Sequence, residues 1–190
     1  DLYMEMVKLQ VPLGYYDMSV MTRRGVGVVQ SDKDAMLFLL KAADLGNPQA
    51  QTRIGYIYIY DKNKDALGLR YLKCADEQGY SDATYKLASY NSNIDANYPV
   101  AMHYYQRATA LGMRKAALAI ESTFMDGDFG YVKNEKLAKA YSNISSQLYK
   151  NPDLRFPDLA KDYPLPPHPV QGYHGDKDIN WKPTGRDDDY

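Results

Sequence analysis

The side chains best suited to chemistry in this sequence are three histidines, one cysteine and a close pair of aspartates. His103, His168 and His174 are scattered, and none stands in an HExxH or other paired-ligand spacing. His103 reads as an outward, solvated residue of a helix; His168 and His174 read as loop polarity. The stretch MDGDFG (125–130) sets Asp126 and Asp128 around a glycine. A calcium loop of that start needs a glutamate at its twelfth position, and that position holds Leu137. A solvated turn is the reading that remains. Cys74 is single, which excludes an internal disulfide and a thiolate metal cluster, and no histidine is placed beside it to make it a nucleophile. Walker and GxSxG motifs are missing, and the terminal RDDDY is a solvated charge run. The residues therefore predict no catalytic group, no metal and no cofactor.

What composition allows is a folded binding protein. The chain has 190 residues, 45% of them hydrophobic and 25% charged, enough to bury a core. Lysine and arginine number 23 against 24 acids, a formal charge of −1, which argues against a nucleic-acid binder. No apolar run approaches the roughly 20 residues that a membrane span requires. Tyrosine is the excess, 19 residues against 4 Phe and 1 Trp. Rings with a polar tip suit half-buried packing and protein interfaces alike, and the excess leans towards a binding surface.

The elements that position these residues follow from a repeat. Ala42, Gly46 and Ala50 return as Ala75, Gly79 and Ala83, and again as Ala108, Gly112 and Ala116, in steps of 33 residues. Ahead of each glycine stand Ala35, Gly68 and Ala101, then Phe38, Tyr71 and Tyr104, then Leu39, Leu72 and Tyr105; behind lie Ile54, Leu87 and Ile120. Those offsets trace one helical face before the glycine and one after it. Each unit is a helix, a glycine turn in the left-handed region and a second helix, with small residues where antiparallel helices approach. Pro48 suits a first helical turn.

Upstream, VPLGYYDM (11–18) aligns with NPQAQTRI (47–54); downstream, NEKLAKAYSNISSQLY (134–149) reads as one more first-type helix, with Ala138 and Tyr141 in the roles of Ala35 and Phe38. After Lys150 the composition changes, and seven of the ten prolines follow. Two regions are expected: a repeat array over 1–150 and an irregular extension over 151–190. Leu154, Phe156, Leu159, Tyr163, Leu165 and Trp181 give that extension apolar anchors, which favours docking on the array over disorder.

At these residues the sequence resembles the SEL-like subclass of tetratricopeptide-type repeats. IGYIY (54–58), GVGV (25–28) and DAMLFLLKAADLG (34–46) match its pattern; Ser19, Ala88 and Glu121 stand where it has glycine. The resemblance implies an all-α fold, a right-handed α-solenoid of about four helix-turn-helix repeats plus a closing helix. YPLPPHP (163–169), Gly172 and Trp181 are similar to the C-terminal extension of bacterial SEL-like immunity proteins that neutralise type VI secretion effectors of the phospholipase D class. That second resemblance implies a periplasmic, non-catalytic partner of a toxin, a monomer when free. Some cysteine-rich relatives are penicillin-binding hydrolases whose units are stapled by paired cysteines, and a single Cys74 speaks against that reading. The alternative is a scaffold that assembles envelope or signalling proteins.

The expected binding surface is the face of the first-type helices opposite the core. One lane holds Leu37, Arg70 and His103, the next Leu40, Lys73 and Gln106, with Arg107 beside them. Leu37, Leu40, Arg70, Lys73, His103 and Arg107 are the candidate partner contacts, with Tyr173 and Trp181 in the extension. AMLFLL (35–40) is apolar all round, so either the extension or the partner is expected to cover it.

Overall fold

A computed structural model describes residues 2–61 and 63–168. Every regular element among them is a helix. In chain order they are α1 (Leu2–Lys8), α2 (Pro12–Arg24), α3 (Asp32–Asp44), α4 (Pro48–Tyr58), α5 (Asp65–Glu77), α6 (Ser81–Asn93), α7 (Tyr98–Ala110), α8 (Arg114–Asp126), α9 (Glu135–Lys150) and the short α10 (Leu159–Asp162). The architecture is all-α, a succession of helix pairs of the solenoid type. Two compact units divide the chain, residues 1–83 and 84–190, and the division falls inside α6. Tyr173, His174 and Trp181 lie outside the described residues.

The elbows are built as the period predicts. Gly46, Gly79 and Gly112 have φ of 90°, 76° and 89°, a region where a Cβ is strained. At each, the amide of the residue after the glycine donates to the alanine at the head of the skeleton: Asn47 to Ala42 at 2.9 Å, Tyr80 to Ala75 at 3.1 Å, Met113 to Ala108 at 2.8 Å. The glycine amide itself donates to the carbonyl three residues back. This bond pair satisfies the orphan carbonyls of a helix end and turns the chain sharply. The next helix starts with its own cap where Asn47 Oδ1 accepts the amide of Ala50 at 2.8 Å. Ser31 and Asn134 cap α3 and α9 in the same way, each cap contributing about 1 kcal/mol.

Within residues 1–83, Leu39, Ala42, Ala43, Ala50 and Ile54 form a core cluster, flanked by Tyr15, Tyr16, Met36, Leu40, Tyr58 and Tyr71. The most extensive packing there joins α2 to α3 and α4 to α5 across the loops, exceeding that between α3 and α4 across the elbow. The sequence points to close approach at the elbow alanines, and these are fully buried. Glycines on α4 and α5 make a close backbone approach of their own. A Cβ on Gly68 would stand 2.7 Å from the amide nitrogen of Ile59 and 2.8 Å from the carbonyl of Gly55.

Among the described residues 84–168, Met102, Ile120, Phe124 and Tyr141 are fully buried, with α8 packed on α9. Beyond α9, residues 151–168 form an extended strap interrupted by α10. The amide of Phe156 in this strap donates to the carbonyl of Ala110 at 2.9 Å, at the end of α7.

Gly68→Ala tests the α4–α5 approach. Alanine would raise helix propensity by roughly 1 kcal/mol, but backbone atoms cannot rotate away from a new methyl as side chains can. We expect a net loss of about 1–3 kcal/mol, read as a lower urea midpoint with an unchanged slope.

Candidate protein-binding site

The outward strip of each first-type helix repeats at i, i+3, i+4 and i+7. On α3 it is Leu37, Leu40, Lys41 and Asp44; on α5, Arg70, Lys73, Cys74 and Glu77; on α7, His103, Gln106, Arg107 and Ala110. These strips contain all six candidate contacts proposed within the helices, and the structure gives them different surroundings.

On α3 and α5 the strip is open. Leu37 is 57% exposed, and Arg70, Cys74 and Glu77 are exposed. Leu40 is half-buried against the core cluster. Lys73 is half-buried as well; burial lowers its pKa from the ordinary lysine value, with the Glu77 carboxylate pulling the other way. The two helices are tied by Tyr71, whose hydroxyl donates to Asp44 Oδ1 at 2.6 Å. Burial first, and that bond second, hold the Tyr71 phenol well above its usual range. The apolar AMLFLL stretch finds its cover inside residues 1–83. Ala35 and Leu39 are buried, Met36 and Leu40 pack on the cluster, and Phe38 meets the Tyr15 ring at 6.4 Å. Leu37 lines a largely apolar cavity of about 440 Å³ together with Met18, Val28, Val29 and Phe38, with Thr22 and Asp34 as its polar members.

On α7 the chain's own strap covers part of the strip, at Gln106 and Ala110. Gln106, placed by the period in an outward lane, is 4% exposed. Its Nε2 donates to the Tyr141 hydroxyl at 2.7 Å and to the carbonyl of Tyr163 at 2.8 Å. Ala110, one turn on, accepts from Phe156. At the Gly112 elbow the Arg155 side chain and the Leu154 carbonyl close in. Leu159 of α10 is buried, and the Tyr163 ring lies 6.3 Å from that of Tyr141. His103 is half-buried and Arg107 exposed.

The strap ends on a residue whose sequence reading needs correcting. His168, read as loop polarity, is 7% exposed. Its Nε2 lies 2.8 Å from the carbonyl of Phe129, and its ring stands edge-on to Tyr131 at 5.0 Å. Phe129 is held at φ 55° between two left-handed glycines and stacks on Tyr98 at 4.9 Å. The MDGDFG turn is thus a socket for the end of the strap. Asp126 and Asp128 are exposed, and among the described residues no three His, Cys, Asp or Glu side chains gather around a metal-sized site. No described helix is long and apolar enough to cross a membrane.

A family model for the Sel1 repeat matches residues 12–47, 48–80 and 81–113, each match closing one residue past an elbow glycine. The crystal structure of an immunity protein from Pseudomonas aeruginosa is similar at 46% identity and a TM-score of 0.78, over 91% of this chain and 68% of that one. A second immunity protein of the same organism is similar at 44% identity and a TM-score of 0.76, over 95% and 70%. A Sel1 repeat protein from Oxalobacter formigenes shares the fold at 19% identity and a TM-score of 0.64, over 76% and 62%. No curated protein sequence matches the chain.

Two measurements test the strap. Gln106→Ala removes the donor to one buried and one part-buried acceptor, so we expect a loss of about 1–3 kcal/mol and faster proteolytic cleavage within residues 151–168. Burial pushes the phenols of Tyr131 and Tyr141 up to about 12 from the ordinary 10.0. The unfolded chain then sheds these protons before the folded one, so stability is complete below pH 10 and falls as pH rises towards 12. Tyr141→Phe should flatten that alkaline decline in a pH series of urea midpoints.

Proposed function

The chain belongs to the Sel1 repeat family, and from that premise we propose that it is a bacterial immunity protein that binds its partner without catalysis. Its partner is a cognate antibacterial effector, and its action is occlusion. The observation that carries this reading is the similarity to two Pseudomonas aeruginosa immunity proteins, at 46% and 44% identity over 91% and 95% of this chain. The outward strips of α3 and α5 supply exposed apolar and cationic groups of the kind that anchor a protein interface.

The finer reading concerns the effector. The proline-rich YPLPPHP segment resembles the extensions of immunity proteins directed against type VI phospholipases of the D class, and we assign the partner to that class. Such an effector attacks membrane lipid, so the inhibitor works in the periplasm, as a monomer binding one toxin. Neutralisation requires almost no free toxin. A nanomolar complex corresponds to about −12 kcal/mol, within reach of an interface of roughly 1,600 Å² with a few buried anchors.

Titrating the purified phospholipase D-class effector of the same genome with this protein, while following phosphatidyl-lipid hydrolysis, tests the proposal. We expect activity to fall linearly to zero at one equivalent. Full hydrolysis in the presence of excess protein would overturn it.

A further inference from the structure

Two polar side chains at the α2–α3 junction are left unused by the fold. Thr52, Thr109 and Thr123 donate their hydroxyls to the carbonyl four residues back, at 2.7, 2.9 and 2.8 Å, the usual way for a helix to satisfy a threonine. Thr22 is 5% exposed, and its hydroxyl makes no such bond among the described residues. Only Asn91 Oδ1, among those residues, is sealed from solvent without a partner. The Thr22 oxygen therefore keeps an accessible side, and the open space at Thr22 is the cavity of about 440 Å³. Asp34 is the second group. It stands where a capping carboxylate reaches back to the amide of the cap residue, but the Ser31 amide donates to the Thr22 carbonyl at 3.1 Å. The Asp34 carboxylate is left without a hydrogen bond or ion pair among the described residues. The wall that carries Val28 and Val29 is fixed. The Val26 amide donates to Met21 at 3.0 Å and Gln30 Nε2 to the Arg23 carbonyl at 3.1 Å, so with the Ser31 bond three consecutive residues of α2 hold the loop.

We infer that this cavity binds a basic side chain of the effector, its aliphatic stem lying on Met18, Val28, Leu37 and Phe38 and its cationic head taking the Asp34 carboxylate and the Thr22 oxygen. The inference rests on the immunity reading and gives that partner a point of entry. Arginine and lysine join a long apolar stem to a head that only donates, and hydrocarbon walls with two unused oxygens match that division. A wholly apolar side chain would strand both oxygens, and an acidic one would meet a like charge. Arg23, Arg24 and Lys33, the basic residues nearest in sequence, do not line the cavity. Residues 169–190 hold five aspartates against two lysines and one arginine, and that net acidity suits them poorly to a carboxylate site. The next unit has Tyr58 and Leu67 where Thr22 and Asp34 stand, so the polar pair is not something the repeat itself requires.

Butylguanidinium, a bare stem and cation, tests the free protein. We expect it to shift the amide resonances of Val28, Asp34 and Leu37 in wild type and not in Asp34→Asn, and pentanoate, which carries a carboxylate instead, to shift none of them. With an inactivated phospholipase D-class effector, Asp34→Asn should weaken Kd by about tenfold or more, the scale of a charge-assisted pair at an interface anchor. Thr22→Val keeps the shape and removes the hydroxyl, and should weaken Kd by about threefold. Asp32→Asn makes the same charge change on α3 outside the cavity and should bind like wild type.

A tight complex that Asp34→Asn and Thr22→Val form as well as wild type would overturn the placement and leave the immunity reading standing. Equal losses for Asp34→Asn and Asp32→Asn would assign the effect to the general charge at the start of α3 and overturn it as well. Pentanoate shifts equal to those from butylguanidinium would show a merely apolar cavity and overturn the basic occupant. Absence of any complex with the wild-type protein would overturn the immunity reading, and the inference with it. Two results in the free protein would give the cavity to other occupants and overturn the inference. One is a stronger response to butylguanidinium when the chain is cut after His168, which assigns the cavity to residues 169–190. The other is Asp34-dependent self-association that grows with protein concentration, which assigns it to a second copy.

Discussion

The carbonyl of one alanine in each unit, Ala42, Ala75 and Ala108, accepts the amide that follows the elbow glycine, and the rest of the array depends on that bond. It can form only if the glycine adopts a positive φ and the chain leaves the helix at a fixed residue. Once the exit is fixed, so is the rotation of the helix that precedes it. An α-helix turns by about 100° per residue, so one residue more or less would swing the buried face away from its neighbours. A constant step of 33 residues therefore keeps Ala35, Gly68 and Ala101 inside and Leu37, Arg70 and His103 outside. The same step lets an observation on α7 be carried to α5 and α3 position by position.

Sidedness of this kind is what the sequence displays clearly. Helix starts, elbow glycines and core positions are local or periodic, and each leaves its mark within a few residues. Two features were legible only in part. Tyrosine excess leans towards a binding surface, yet Tyr90, Tyr104, Tyr105, Tyr131 and Tyr141 are buried, with hydroxyls such as those of Tyr105 and Tyr141 in hydrogen bonds. A ring with a polar tip suits both roles, and composition does not separate them. Gln106 fits the outward lane by period and is nonetheless buried, because a segment 57 residues further on covers it.

The strap explains why the second case had to be missed. Its prolines and apolar residues announce an extended segment with something to bury, but extended chain has no period to give its register. The pairings of Gln106 with Tyr163 and of His168 with Phe129 join residues 57 and 39 apart. Nothing local at either end specifies the other. His168 is ordinary in sequence and becomes informative only where its ring meets Tyr131 and a carbonyl held by a left-handed turn. Tyr173 and Trp181 share that extension and lie outside the described residues, so no contact is assigned to them.

Self-occupancy of one strip changes what the remaining strips can do for affinity. A partner competing for α7 must first free Gln106 from two acceptors and expose Leu159, and its apparent affinity falls by the fraction of time the strap is released. Buried hydrogen bonds of about 1 kcal/mol each, together with aromatic and aliphatic contacts, make that fraction small. Leu37, Arg70 and Cys74 on α3 and α5 are exposed, and a partner that meets them has no such competitor among the described strap residues. Two strips with one geometry thus differ in cost. Where the strap binds, the array gains stability from its own chain; Leu37, exposed on α3, gains none from the described strap residues.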